Sequence, residues 1–155
     1  MKRRFAQRRL WQRRLGLLTG ALTAGTVACF AALAQDAPTT PDGTPTYIVK
    51  DGQVDKGTYN GYRRFHATCH TCHGFDASGS SFAPSLADSL KRLSYDEFKE
   101  VVVNGRQNQG ATGDKVMPSF GLDPNIMDHL DDIYRYLKAR ADGALPGGRP
   151  QRIGG

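Results

Sequence analysis

The first 34 residues contain no acidic side chain, the residues after them contain no tryptophan, and the whole chain has three cysteines. Each scarcity excludes something. Seven of the 21 Lys and Arg residues fall in the acid-free leader, so the remainder carries 14 basic against 15 acidic side chains and the net charge of +6 belongs to the leader. A nucleic-acid partner thereby loses its only support. Cys29 lies in the leader, so only Cys69 and Cys72 remain beyond it, and if one site uses both there is no structural disulfide. A length of 155 residues sets one domain.

The leader has three parts: a basic start with Arg3-Arg4, Arg8-Arg9 and Arg13-Arg14, an apolar run from Leu15 to Leu33, and the small-x-small string Ala32-Leu33-Ala34. Residues 1–34 read as a signal peptide cleaved after Ala34, and general secretion fits better than a twin-arginine route. The alternative is an uncleaved membrane anchor, which Gly16, Gly20 and Gly25 weaken as a span. Cys29 follows Ala28, but Thr26 stands where a lipidation site usually has a larger aliphatic residue, so it reads as a thiol discarded with the signal.

The chain is organised around Cys69-His70-Thr71-Cys72-His73. A Cys-x-x-Cys-His string in an exported chain is the attachment site of a c-type haem. Two cysteines one helical turn apart each reach one vinyl group, and His73 then lies under the ring as an axial ligand. Two other readings compete. A thioredoxin-like redox pair needs a strand-then-helix pattern, which is missing here. A zinc site needs His66 to join Cys69, Cys72 and His73.

Residues 35–46, QDAPTTPDGTPT, have almost nothing to bury and read as a flexible tether ahead of a domain at 47–141. Val49 and Val54 flank Asp51-Gly52, the signature of a small N-terminal hairpin. A first helix is predicted from Lys56 into Cys69, with Gly61 and Phe65 on the face of Cys69. The Gly- and Ser-rich loop after His73 brings Pro84 within reach, so that a loop carbonyl accepts the second imidazole N–H. Leu86 is placed to cover the haem face. Ser94 and Glu97 form a capping box for a helix ended by Asn104-Gly105. RQNQGATGDK then reads as a loop leading to Met117. Asp123-Pro124 opens the last helix, with Ile126, Leu130, Ile133, Tyr134 and Leu137 as its apolar stripe and Arg135, Lys138 and Arg140 toward its C-terminal end. Residues 142–155 read as a loosely ordered tail.

The sixth iron ligand separates an electron carrier from a ligand binder. The donors are Met117, Met127, His66, His70 and His129. Met127 and His129 fall in the predicted last helix, His70 points away from the iron, and His66 shares a helix with His73 and cannot reach the opposite face. Met117 is in a loop stiffened by Pro118. A thioether there raises the potential, as an electron carrier needs.

Gly61 and Phe65, CHTCH, Pro84, Met117-Pro118, and Ile133 with Tyr136-Leu137-Lys138 together resemble the class I c-type cytochromes. The resemblance implies an all-α fold, three main helices around one covalently bound haem c, with the first and last helices crossing near Gly61 and Tyr136. It departs from the family in lacking a tryptophan for a haem propionate, which puts Tyr95, Arg106 or a backbone group in that role. The strings TYNGYRRFHATCHTCHG, SFAPSLADSL, VVVNGR, MPSFG and DDIYRYLKARADGALPGGRP are similar to the methanol-metabolism-related c-type cytochromes of the cytochrome cL group. That likeness implies a periplasmic, monomeric electron carrier and not an enzyme. Its donor would be a PQQ-dependent alcohol or methanol dehydrogenase and its acceptor a downstream cytochrome or oxidase. Two alternatives stand beside it: a ligand-binding or peroxidatic haem protein with a displaceable sixth ligand, and a membrane-anchored haem subunit.

Overall fold

The computed structural model describes residues 38–108 and 115–155, so the readings of the leader, of residues 35–37 and of Cys29 lie outside the described residues. The first elements are β1 (Val49–Lys50) and β2 (Gln53–Val54), an antiparallel hairpin with Val49 opposite Val54. Asp51 and Gly52 both take positive φ, 51° and 75°, which is the twist a two-residue hairpin turn requires.

Asp55 joins that hairpin to α1 (Lys56–Thr68). Its carboxylate accepts from the Thr58 amide at 3.0 Å as the helix cap, and also from the Ile48 amide at 2.8 Å. The chain then turns through Cys69 into α2 (His70–His73), with the Cys69 amide still bonded to the Phe65 carbonyl at 2.8 Å. A short α3 (Leu86–Ser89) is capped by Ser85. The capping box of Ser94 and Glu97 starts α4 (Tyr95–Asn104), and Gly105 ends it.

Beyond α4 the predicted loop is a hairpin. Strands β3 (Arg106–Asn108) and β4 (Lys115–Met117) pair antiparallel, with Arg106 opposite Met117. The predicted last helix is two helices, α5 (Pro124–Met127) and α6 (Leu130–Ala141), because Asp128 and His129 close α5 with tight bonds to Pro124 and Ile126 and His129 leaves helical geometry at φ −127°.

The core sits between α1 and α6. Gly61 allows the two backbones to meet: a Cβ there would lie 1.7 Å from the carbonyl oxygen of Asp132. Beside that crossing Phe65 and Tyr136 are fully buried with ring centroids 5.4 Å apart, and Ile126, Leu130, Ile133, Tyr134 and Leu137 are all buried with them. The first and last helices thus cross as the family resemblance implied, but two small sheets accompany the helices.

Two segments that composition marks as loose are packed. In the tether, Thr39 bridges Pro45, the Thr46 amide bonds the Pro38 carbonyl at 2.9 Å, and Pro45 is fully buried. The cause is Arg135, only 4% exposed, whose guanidinium donates to Thr46 O at 3.0 Å, Pro38 O at 3.3 Å and the Asp132 carboxylate at 3.1 Å. Arg135 is therefore a buried clasp and not a cation facing water at the helix end. In the tail, β5 (Gln151–Arg152) adds to β2 in parallel, Leu145 and Pro150 are buried, and the Gly148 amide donates to Asp76 at 2.9 Å.

Tyrosines close this packing and set its response to alkali. Tyr47 donates to Asp142 at 2.9 Å, and burial first, with that carboxylate second, pushes its phenol up to about 12. Burial also raises Tyr136, and burial with the Asp131 carboxylate raises Tyr95. A group whose folded pKa is raised contributes stability fully present below its unfolded value and lost as pH climbs through the folded one. Stability should therefore hold up to pH 10 and decline from there toward 12. A tyrosinate absorbance titration followed alongside chemical denaturation tests this, and complete ionisation near pH 10 in an intact fold contradicts it.

Candidate haem site

Cys69 and Cys72 stand at the joint of α1 and α2, and neither is in a disulfide. Cys69 is half-buried against the core cluster, while Cys72 is exposed. Burial pushes the Cys69 thiol up to about 11. A redox Cys-x-x-Cys needs the opposite shift, since its thiolate must be the stable form. The zinc reading also fails: among the described residues no three His, Cys, Asp or Glu side chains converge on a metal position. His66 Nδ1 is instead engaged with the Tyr62 carbonyl at 2.8 Å.

His73 is buried, with Nδ1 2.9 Å from the carbonyl oxygen of Pro84. A carbonyl only accepts, so Nδ1 carries the proton and Nε2 keeps its lone pair for iron. The intervening loop returns the chain to the imidazole through two glycines at positive φ, Gly74 at 77° and Gly79 at 88°. Gly79 is also crowded, since a Cβ there would lie 2.6 Å from the Ser85 amide nitrogen. The Gly79 amide donates to the His73 carbonyl at 2.8 Å, and the Ser80 hydroxyl donates to the Cys72 carbonyl. Neither bond was read from the sequence, although the spacing of glycine and serine in GFDASGSSFAP is their signal.

Met117 ends β4, half-buried, and packs on the same core cluster as Cys69 and Leu86. Its position is set from α4: the Phe120 amide bonds Val102 O at 3.0 Å, the Gly121 amide bonds Val103 O at 3.1 Å, and Gly105 passes close enough that a Cβ would touch the Met117 carbonyl at 2.6 Å. Of the other sixth-ligand candidates, His129 Nδ1 is 3.3 Å from the Asn60 amide, and Met127 packs on the core from α5. The His70 ring lies 5.7 Å from that of His66 and 4.9 Å from that of Phe75. Tyr95 donates to Asp131 and packs on Tyr134, so its hydroxyl is already committed, whereas Arg106 is exposed at the start of β3, opposite Met117.

This donor set fits a haem bound through sulfur: two unpaired thiols on adjacent turns, an imidazole oriented by a carbonyl, and a thioether on the same core. Fold and site together define a class I c-type cytochrome. A family profile described as cytochrome C oxidase, cbb3-type, subunit III matches residues 58–137. Cytochrome c-553I of Paracoccus denitrificans is 45% identical over 114 residues, covering 73% of this chain and 50% of that protein. Cytochrome c-555 of Methylococcus capsulatus (Bath) is 41% identical over 100 residues, 64% of this chain and 75% of that one. The crystal structure of the c-type cytochrome XoxG from Methylobacterium extorquens AM1 superposes with a TM-score of 0.66 at 49% identity, covering 74% of this chain and 70% of that one. The chain thus spans half the length of cytochrome c-553I and most of the other two. It belongs to the class I c-type cytochromes, among those of the methanol-metabolism kind, and carries covalently bound haem c.

Proposed function

We propose that this cytochrome is a periplasmic one-electron carrier, taking electrons from a PQQ-dependent, methanol-type alcohol dehydrogenase and passing them toward the respiratory chain. The observation that carries the reading is the lock on His73. Its imidazole is buried and hydrogen-bonded through Nδ1 to Pro84 O, which orients Nε2 for an iron and limits the rearrangement that an electron transfer would cost. Met117 and His73 would hold the iron, and Cys69 and Cys72 would tether the ring through thioethers. When bound there, the haem would supply one-electron ferric/ferrous exchange. The donor assignment rests on the likeness to the methanol-metabolism cytochromes and to XoxG. The leader's signal-like composition supports export, and no helix among the described residues is long and apolar enough to cross a membrane.

The described surface bears on how the donor is met. Lys91, Lys99 and Lys138 are each paired with an acid on or next to their own helix, Asp88, Asp96 and Asp142. Half of the six lysines beyond the leader are thus paired, and the 14 basic and 15 acidic side chains beyond it nearly cancel, which leaves little net charge for long-range steering. Stopped-flow mixing of the ferric protein with methanol-reduced PQQ-dependent methanol dehydrogenase tests the reading. Reduction should be at least about tenfold faster than by an unrelated flavoprotein donor and should vary little between low and physiological ionic strength. Equal rates from both donors reject the partner. Carbon monoxide binding to the ferrous protein at neutral pH would instead favour the displaceable-ligand alternative.

A further inference from the structure

Phe82 is a large apolar side chain left 72% exposed. The loop that displays it is not slack. The Phe82 amide donates to the Ser80 hydroxyl at 3.0 Å, that hydroxyl donates to the Cys72 carbonyl, and the Ser80 amide donates to the Ala83 carbonyl at 2.8 Å. One residue earlier, the Gly79 amide is bonded to the His73 carbonyl at 2.8 Å. The phenyl ring is therefore held out to solvent from the backbone of the attachment peptide itself. An aromatic ring has few torsions to freeze, and here its backbone is already fixed, so it loses little entropy on docking. Interface anchors have this character.

The loop itself carries little charge, and the one cation bonded to it, Arg140, is partly buried on the Asp76 carbonyl at 3.1 Å. Between Gly74 and Asp88 the only ionised side chains are Asp76 and Asp88. Asp76 is occupied by the Gly148 amide at 2.9 Å and Asp88 by Lys91 at 2.8 Å. The exposed residues next to Phe82 along the loop are Ser80, Ser81 and Pro84, all uncharged. A charged group brought against Phe82, Ser80, Ser81 and Pro84 would lose its water with no counter-charge among them, so this stretch favours an apolar, uncharged partner face.

We propose that Phe82 is the docking anchor for the electron donor, entering an uncharged apolar pocket on the donor beside Cys72. The proposal rests on the donor reading above. Three variants test it: Phe82→Ala, Phe82→Leu, and Ile153→Ala as an exposed apolar control next to β5. Each is mixed with methanol-reduced PQQ-dependent methanol dehydrogenase. The second-order rate constant should fall about tenfold in Phe82→Ala, largely return in Phe82→Leu, and hold in Ile153→Ala. The visible spectrum, the midpoint potential and the rate of reduction by ascorbate should not move. A Phe82→Ala protein reduced at the parent rate overturns the proposal. So does a shifted spectrum or potential, which would make Phe82 a packing residue of the cofactor. If the parent protein is not reduced by that dehydrogenase, the donor reading is what has failed. Electron self-exchange between ferric and ferrous copies then decides for Phe82, with slowing in Phe82→Ala supporting a docking role and an unchanged rate ending it.

Discussion

Gly61→Ala is expected to destabilise the protein by on the order of 4 kcal/mol, against a total stability of roughly 5–15 kcal/mol for a domain of this kind. The added methyl would lie 1.7 Å from the carbonyl oxygen of Asp132 and 2.4 Å from its carbon, where ordinary contact begins near 3.4 Å. Both obstacles are backbone, so neither can swing aside. α1 and α6 would have to separate by more than an ångström, loosening Phe65 against Tyr136 along the whole crossing. The sign of the effect is diagnostic. Helix propensity alone favours alanine over glycine by about 1 kcal/mol, so an intrinsic effect would stabilise. Ala67→Gly, on an exposed position of the same helix, should cost only that ~1 kcal/mol. Denaturant unfolding of the haem-loaded proteins compares them, and a neutral or stabilised Gly61→Ala would mean that the close crossing does not exist.

Met117→Ala should have the largest effect on redox behaviour. With the thioether gone, the sulfur-to-iron absorption band of the ferric protein should vanish and the midpoint potential should fall by about 100 mV or more, a modest part of the ~0.8 V span that axial ligands command. The ferrous form should also begin to bind carbon monoxide. Met127→Leu is the companion variant: Met127 packs on the core from α5, so its loss should touch stability and leave band and potential alone. Should the two variants exchange roles, the ligand is Met127. Should Met117→Ala keep both band and potential, the assignment of Met117 is wrong.

How much of this could be read from the chain depended on whether a residue advertises its role locally. The capping box at Ser94 and Glu97 depends on neighbours three positions apart, and it is present as the order of residues indicates. The apolar stripe from Ile126 to Leu137 is likewise local, and all five residues are buried. The spacing from His73 to Pro84 was enough to anticipate the bond between imidazole and carbonyl. The failures share a different cause. Strands β3 and β5 are wholly exposed and polar, so no alternation of apolar residues marks them, and their pairing is visible only as backbone hydrogen bonds. Arg135 sits where a surface cation would sit on α6, and nothing near it in sequence reveals that its partners are carbonyls some ninety positions earlier. The break between α5 and α6 occurs inside an unbroken apolar period, which periodicity cannot detect.

The parallel pairing of β2 with β5 has a consequence for how the domain comes together. Gln53 meets Gln151, and Ile153 donates its amide to Val54 at 2.9 Å, so the sheet closes a circuit through nearly every described residue, the attachment peptide included. Contacts between such distant positions are entropically the costliest to make and gain little until the chain between them is arranged. The seam between β2 and β5 should thus form late in folding, once the interior is in place.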